Sequence, residues 1–459
     1  MKTAMKTTVL LLLLLAWTAP ALAEKQAPPP GGPPRAFTVP RIETFSLPNG
    51  LRVTLAPYGQ VPKVEIAVVT RCGNLNEAPG QVWLADITGE MMKEGTTTRT
   101  AAAVAEEAAT LGGQISVQVG ADQTTLQTEV LSESGPKAAK LLADVVQRPL
   151  LPESEMARLK TDAIRRLSIE KSQPQSLAVE RFRKVLYPDH PYGRVYPTED
   201  TISGLGAADV RKFYEGNFGA ARSHVFVAGR FDSAEMRKTI TEEFGKWARG
   251  PEAVTNVPKP KAGRVLEVVE RPGAPQSTLY LGLPVAYPGN PDYVALEVTN
   301  ALLGGSFASR VTSNIREQKG YTYSPRSVLS SRYHDSYWAQ TADVSTDVTG
   351  ASLKEIFYEI NRLRGEAPPG KELEGIQNFI SGVFVIRNSS RDGIINQLNT
   401  VDLHSLGDDY LRTYVQRVNA VTPAQVQEMA KKYLVPEQMA IVVVGDREKI
   451  TGQVTPYRP

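Results

Sequence analysis

The sequence has little of what builds a disulfide, a metal site or a membrane span. Cys72 is the only cysteine among 459 residues, so no internal disulfide can form. We expect this thiol to be a small buried group at a strand end. The four histidines are dispersed, with no pair one helical turn apart, and each is expected to be an ordinary surface or core residue. After the first residues, no apolar run approaches the roughly 20 residues that cross a bilayer.

Net charge is also small. The formal charge is +3, and removal of Lys2 and Lys6 with an N-terminal signal leaves 50 of the 52 basic residues against 49 acidic ones. Such a balance gives no support for nucleic-acid binding or for attraction to an anionic membrane surface. We therefore expect neither partner.

The N-terminus is typical of a secretory signal. A basic start is followed by an apolar run over residues 9–17 and by Ala-Leu-Ala at 21–23. This pattern predicts a signal peptide over 1–23 and an exported protein, periplasmic or extracellular, with no membrane span after cleavage. An uncleaved N-terminal anchor is the alternative. Residues 24–40 are rich in proline and predict a stiff leader.

The chain contains an internal repeat. Residues 208–229 align without a gap on residues 424–445, at an offset of 216 positions. Each copy has the pattern of an amphipathic helix, a short turn and an apolar strand. The repeat indicates two copies of one domain.

Strand and helix patterns recur in the same order in both halves, which predicts α+β domains, each a mostly antiparallel sheet packed with helices. A Pro/Lys-rich linker over 251–263 separates predicted domains at 41–250 and 264–457. In the first half, the patterns predict strands at 42–47, 51–56, 64–70, 114–119 and 124–131, and helices at 81–92, 101–111 and 153–170. In the second half, they predict strands at 265–270, 278–284, 321–330 and 337–345, and helices at 292–303, 307–319, 352–364 and 371–388.

The segment 303–325 (LGGSFASRVTSNIREQKGYTYSP) is the most informative. Phe307, Val311 and Ile315 recur every four residues and predict one apolar helical face. Gly320 can adopt the left-handed conformation that ends a helix.

A strand is predicted to follow, with Tyr321 and Tyr323 on one face. Arg316 at the helix end and Tyr323 on that strand can converge on one oxygen, which suits an oxyanion or a peptide carbonyl. The structural alternative is a surface arginine with ordinary ion pairs and a half-buried tyrosine.

This segment resembles the C-terminal signature of the pitrilysin/insulinase family of zinc peptidases, which includes the mitochondrial processing peptidases. In that family an arginine and a tyrosine, spaced like Arg316 and Tyr323, sit opposite the zinc and hold the scissile carbonyl. The resemblance covers essentially the whole mature chain. It implies two similar domains that face each other as the halves of a clam shell.

The zinc motif of that family, H-x-x-E-H, is degenerate here. Its flanking sequences resemble residues 73–80 and 91–96, but the motif positions hold Asp86, Gly89 and Glu90 in place of two histidines and the general base. The third ligand falls at Arg165 or Arg166. The resemblance therefore implies no metal and no cofactor in this chain.

Asp86 and Glu90 leave two readings open, since carboxylates at i and i+4 can share an ion or simply lie on a helix face. An arginine at 165 or 166 would neutralise them in an ion cluster.

Residues 112–124 resemble the family's strand beside the zinc, with Ser116 where an asparagine is usual. We expect Ser116 to contribute to substrate binding, since the edge of such a strand can pair with an extended peptide. A purely structural strand is the alternative.

These features predict a chain that is inactive alone and that supplies half of a composite site. A homologous partner with H-x-x-E-H would provide zinc, and the substrate would be a peptide or an unfolded polypeptide. Two alternatives are a peptide-binding or chaperone-like clam shell without peptidase activity and a structural subunit of a larger assembly.

Overall fold

A computed structural model describes residues 39–407 and 409–459, all of which lie in one compact unit. The predicted signal peptide and nearly all of the predicted leader lie outside the described residues. The fold is α+β, with two mixed sheets that are each packed by helices. Within the described ranges, no helix combines the length and the apolar character that a bilayer crossing requires.

The first sheet has six strands in the order β1-β2-β6-β3-β5-β4, and only β2 and β6 pair in parallel. Its strands are β1 Glu43–Ser46, β2 Arg52–Pro57, β3 Lys63–Thr70, β4 Ser116–Val119, β5 Thr124–Leu131 and β6 Ser223–Gly229. The helices of this half are α1 Leu84–Met91, α2 Ala101–Thr110, α3 Gly135–Gln147, α4 Met156–Ser172, α5 Pro174–Leu186, α6 Glu199–Gly204, α7 Ala207–Asn217 and α8 Ser233–Phe244.

The second sheet has five strands in the order β7-β11-β8-β10-β9, with β7 and β11 in parallel. These strands are β7 Val265–Glu270, β8 Gln276–Pro284, β9 Arg326–Arg332, β10 Asp335–Ser345 and β11 Ala440–Gly445. The helices are α9 Tyr293–Asn300, α10 Thr349–Gly365, α11 Gly370–Arg387, α12 Arg391–Leu403, α13 Tyr410–Ala420, α14 Pro423–Tyr433 and α15 Arg447–Val454. Two π-helical segments, Ala301–Gly305 and Thr312–Gln318, follow α9.

The repeat found in the sequence is visible in the strand pairings. β6 pairs in parallel with β2 and antiparallel with β3, and β11 pairs in the same way with β7 and β8. Each of these late strands follows the helix of its repeat, α7 or α14. The two halves are therefore copies of one α+β plan, as predicted.

The two halves exchange one helix each. α5 from the first half packs on β8 and β11 of the second sheet, where the ring of Phe182 contacts those of Tyr280 and Tyr337. α12 from the second half packs on β3 and β6 of the first sheet. This exchange buries apolar surface across the junction and ties the halves together.

The region predicted as a linker has no regular secondary structure, and one predicted strand begins later than expected. Residues 251–262 carry neither helix nor strand. The strand predicted at 321–330 is wrong at its start, because β9 begins only at Arg326. Residues before it make a single isolated bridge, between Thr322 and Val344.

Candidate functional site

The helix that carries Arg316 is anchored by buried polar contacts. Val311 and Ile315 are buried in the second core. Arg310 donates two hydrogen bonds of 2.8 Å to Glu372 on α11, and the amide of Asn314 donates to Glu359 on α10 at 2.9 Å. These contacts fix the position of the helix, and Arg316 lies in its last turn.

The helix ends as predicted at Gly320, whose φ of +66° lies in the left-handed region that favours glycine. The Gly320 amide bonds the Arg316 carbonyl at 3.1 Å, as in an αL cap, and the Tyr321 amide bonds the Ile315 carbonyl at 2.8 Å. Thr322 then donates from its hydroxyl to the Asp343 carbonyl at 2.7 Å. The chain is therefore pinned on either side of the turn, and Tyr323 projects beyond it.

Arg316 lies between two aromatic rings. Its guanidinium carbon is 4.5 Å from the ring centre of Phe307 and 4.7 Å from that of Tyr323. Phe307 is 69% exposed, which corrects the prediction that it belongs to the buried helical face. The helix begins after Ser309, so Phe307 precedes it and serves as a platform for the arginine.

Arg316 and Tyr323 are brought together as the spacing predicts, but Tyr323 lies in a loop and not on the predicted strand. Tyr323 is 79% exposed, and its hydroxyl makes no hydrogen bond within the described part of the chain. Among the described residues, Arg316 forms one ion pair, from Nε to the Glu317 carboxylate at 3.2 Å. The terminal guanidinium nitrogens and the phenol are thus free to donate to a ligand oxygen.

The degenerate motif lies on α1 and its polar groups are bonded internally. The Asp86 carboxylate accepts from the Asn74 amide at 2.8 Å and from Arg166 at 3.0 Å. Burial raises the pKa of Asp86, and the neighbouring Arg166 charge opposes that rise. The Glu90 side chain is 47% exposed and pairs with Lys93 at 2.6 Å. Asp86 and Glu90 therefore have separate partners.

Arg166 occupies the place of the third ligand. Its guanidinium stacks on Trp83 at 4.0 Å while it bonds Asp86, so the predicted pairing with an arginine forms at Asp86 but does not include Glu90. Arg165 points away and pairs with Asp162 at 3.0 Å. A cation where a metal ligand should stand opposes a divalent ion, so these residues do not fit zinc.

The position of the lost general base is closed sterically. A Cβ added to Gly89 would lie 2.7 Å from a methyl of Val119 and 3.2 Å from one of Val117. Both valines belong to β4, which packs directly on α1. The glycine permits this close approach, and a larger side chain at 89 has no room. In the described ranges no group of three or more His, Cys, Asp or Glu could hold a metal ion.

Sequence reasoning missed Glu77. It is 5% exposed and accepts from the Ala85 amide at 2.9 Å and from the Asn74 side chain at 3.1 Å. Burial raises its pKa to about 7, against the lowering effect of these hydrogen bonds. The carboxyl ties the loop before α1 to the helix start. A glutamate in a loop carries no sequence signal for burial, so only the structure finds it.

Ser116 lies on β4, the last strand of its sheet, and pairs with Gln127 of β5. Because side chains alternate, it points away from the face where Val117 and Val119 contact α1. It instead lines a cavity with Glu65 and Glu129. Its predicted role in substrate binding remains a prediction, on the face opposite the degenerate motif.

Cys72, His224 and His404 are buried. Cys72 is buried just after β3, and burial raises its thiol pKa to about 12. The ring of His224 bonds Thr54 at 2.7 Å and Asp402 of α12 at 3.1 Å, across the junction between the halves. Buried His404 has its pKa lowered to about 4 by desolvation, so it is neutral at pH 7.

Two family profiles match the chain. One described as Insulinase (Peptidase family M16) matches residues 52–196, and one described as Peptidase M16 inactive domain matches residues 204–380. Together they extend over most of both halves.

Curated relatives carry related names. An uncharacterized zinc protease of Rickettsia bellii is 28% identical over 69% of this chain and 77% of its own length. An uncharacterized zinc protease of Bacillus subtilis is 25% identical over 88% of this chain and 98% of its own.

Two solved structures share the fold. A peptidase M16 inactive domain from Pseudomonas fluorescens superposes with a TM-score of 0.81 at 23% identity, over 88% of this chain and 98% of that one. A protease from Helicobacter pylori gives 0.83 at 20% identity, over 89% and 100%. With both profiles matched in order along its two halves, the chain belongs to the insulinase family, peptidase family M16.

Proposed function

We propose that this chain is the noncatalytic subunit of a heterodimeric zinc metallopeptidase exported to the periplasm. The observation that carries the proposal is Arg316, held between Phe307 and Tyr323 with its terminal nitrogens free, next to a tyrosine hydroxyl that has no partner in the described part of the chain. A homologous chain with H-x-x-E-H would hold the zinc. The substrate is a peptide or an unfolded polypeptide.

In this role the pair grips the scissile carbonyl. Arg316 donates a charge-assisted hydrogen bond to the carbonyl oxygen, and the Tyr323 hydroxyl donates a second. Stacking between two rings restricts the guanidinium before substrate arrives, which lowers the entropy lost on binding. The negative charge that develops on the oxygen then meets donors that are already in place.

The loss of the water-activating groups is consistent with this division of labour. Asp86 and Arg166 neutralise each other, and Gly89 leaves no base at the motif. Selection on a subunit that borrows its partner's metal would preserve only the carbonyl-binding pair.

The test is reconstitution with a homologous exported chain that carries H-x-x-E-H. We expect hydrolysis of a fluorogenic peptide library by the mixture at a rate well above that of either chain, and none by this chain with added zinc. A stable complex whose activity equals that of the zinc-bearing chain alone would overturn the proposal.

A second candidate function is peptide binding without a catalytic partner. β4 ends its sheet, and a free strand edge can add an extended peptide by backbone hydrogen bonds. Isolation of the chain from its native source separates the two, since a zinc-containing partner is present only in the first case.

A further inference from the structure

A cavity of about 520 Å³ lies at the end of the first sheet, on the face that α12 covers. Its wall contains three carboxylates, Glu65 of β3, Glu129 of β5 and Asp392 of α12, together with Thr128 and Ser116. Glu65 and Glu129 are direct cross-strand neighbours. We call this the acidic cavity. Neither the degenerate motif nor Arg316 and Tyr323 contributes to it.

The protein's own cations neutralise only part of this charge. Glu129 accepts from Lys63 at 2.9 Å and from Arg391 at 2.7 Å. The Asp392 carboxylate accepts a hydrogen bond of 2.9 Å from the side-chain amide of Asn396. Glu65 has no ion-pair partner among the residues described. Three carboxyl groups thus face two cations, and both cations pair with Glu129. The two acids without an ion pair are Glu65 from the first half of the chain and Asp392 from the second half, on opposite walls of the cavity.

One buried polar atom in the wall, Oε2 of Glu65, has no hydrogen bond among the described residues, and its residue is 4% exposed. An unsatisfied buried acceptor destabilises the fold, more so if it is charged. Oε2 of Glu65 gains a partner if a donor enters the cavity.

The missing donor is an organic cation and not a metal ion. No group of three or more carboxylates in the described ranges is arranged to hold a metal. An ammonium offers three donors and a guanidinium five, and both reach acceptors through hydrogen bonds about 2.8 Å long. Such a group spans a wider set of carboxylates than a metal can coordinate.

We propose that the acidic cavity binds the guanidinium or ammonium group of an arginine or lysine side chain, on a peptide that lies along the outer edge of β4. This specificity subsite rests on the proposed function for its peptide ligand. Ser116 is on β4 and faces the cavity, so alternate side chains of a strand added to β4 lie on the face of the sheet that carries Glu65 and Glu129. The peptide thus contacts both halves of the chain.

The protonation of Glu65 makes the subsite sensitive to pH. Burial, together with the nearby charges of Asp392 and Glu129, raises the pKa of Glu65 to about 7, and the charge of Arg391 opposes this rise. Lys63 adds a second nearby cation through Glu129. A cation binds the ionised form best, so its affinity increases as pH rises from about 6 to about 8.

The test uses the chain alone in calorimetric titrations, so it does not depend on a catalytic partner. The ligands are a short β-forming peptide with one central arginine, the same peptide with neutral citrulline, and free arginine methyl ester. At about pH 8 we expect the arginine peptide to bind at least tenfold more tightly than the citrulline peptide. Glu65→Gln should abolish that preference, while Glu215→Gln, on an exposed face of α7, should preserve it.

Asp392→Asn serves as a second variant, since Asp392 lies on a helix surface, and should also weaken the preference. Equal affinities for the two peptides, or no binding of either, would overturn the proposal. Binding of the free ester as tightly as the arginine peptide would overturn its assignment to a peptide side chain. If the arginine preference holds but reconstitution yields no activity, the composite-site proposal fails and the cation subsite stands.

Discussion

The degenerate motif on α1 and the Arg316 segment both resemble parts of one family site, and they differ in how their polar groups are satisfied. At the motif, Asp86 is bonded from two sides and Gly89 is packed against β4. At the other segment, Tyr323 is 79% exposed, and its hydroxyl has no partner among the described residues. Polar groups that bond one another leave nothing for a ligand, whereas unpaired donors can still bind one.

The largest effect is expected from removing either hydrogen-bond donor of the Arg316 segment. Arg316→Ala or Tyr323→Phe should lower turnover of the reconstituted complex by about 10²–10³, the usual result of removing one oxyanion donor. The zinc content should not change. Lys319→Ala, which removes a cation from the same helix end, is the matched control and should retain activity. Full activity in both primary variants would count decisively against the carbonyl-binding role.

The next largest effect is expected at Gly89, where β4 packs closely against the degenerate motif on α1. Gly89→Glu should lower the free energy of unfolding by about 2–4 kcal/mol, because it adds a charged side chain where Val119 already packs. Val119→Ala should recover part of the loss. Gly375→Glu is the control, since open space surrounds that glycine on α11. Denaturant unfolding measures the stability of all three variants. A Gly89→Glu protein as stable as wild type would show that β4 can move to accommodate the larger side chain.

A smaller effect should distinguish the two arginines. Arg166→Ala leaves Asp86 without its cation and should cost about 1–2 kcal/mol of stability, a value reduced because Arg166 is 44% exposed. Arg165→Ala removes a solvent-exposed pair and should change stability by about 0.5 kcal/mol or less. Equal losses in thermal and denaturant unfolding would contradict the idea that Arg166 replaces a metal ligand.

An effect of similar size, which depends on pH, concerns Glu77. Its pKa is raised to about 7, so the folded protein holds a proton that the unfolded chain releases above about pH 4.5. Stability contributed by this group therefore falls as pH rises from about 5 to about 7. Glu77→Gln keeps the acceptor for Ala85 and should be about 1–3 kcal/mol more stable than wild type at pH 8, with little difference at pH 4.5. The opposite pH trend would be inconsistent with a buried protonated carboxyl.

Local patterns predict most of the fold. The strand at 124–131 has the predicted bounds, and α2 ends within one residue of the prediction. Gly320 ends its helix as expected, because a single glycine is enough to favour the left-handed conformation of a helix cap. The repeat in sequence predicts the repeat in strand pairing, since each copy contributes the same strand to its sheet.

Long-range contacts could not be predicted. The docking of α5 and α12 on the opposite sheets depends on residues far apart in the chain, and a helical period does not specify which sheet a helix covers. Phe307 was assigned to the buried face from its spacing alone, although the helix begins after it. The choice of Arg166 over Arg165 depends on the rotation of α4 against α1, which neighbouring residues in a sequence do not reveal.

The most direct test is zinc analysis of this purified chain, alone and in complex with its H-x-x-E-H partner, with peptidase activity assayed in parallel. The account predicts no bound zinc and no hydrolysis for the isolated chain, and one zinc per heterodimer, carried by the partner, in the active complex. One equivalent of zinc held near residues 86–90 of the isolated chain, with unaided peptide cleavage, would contradict it.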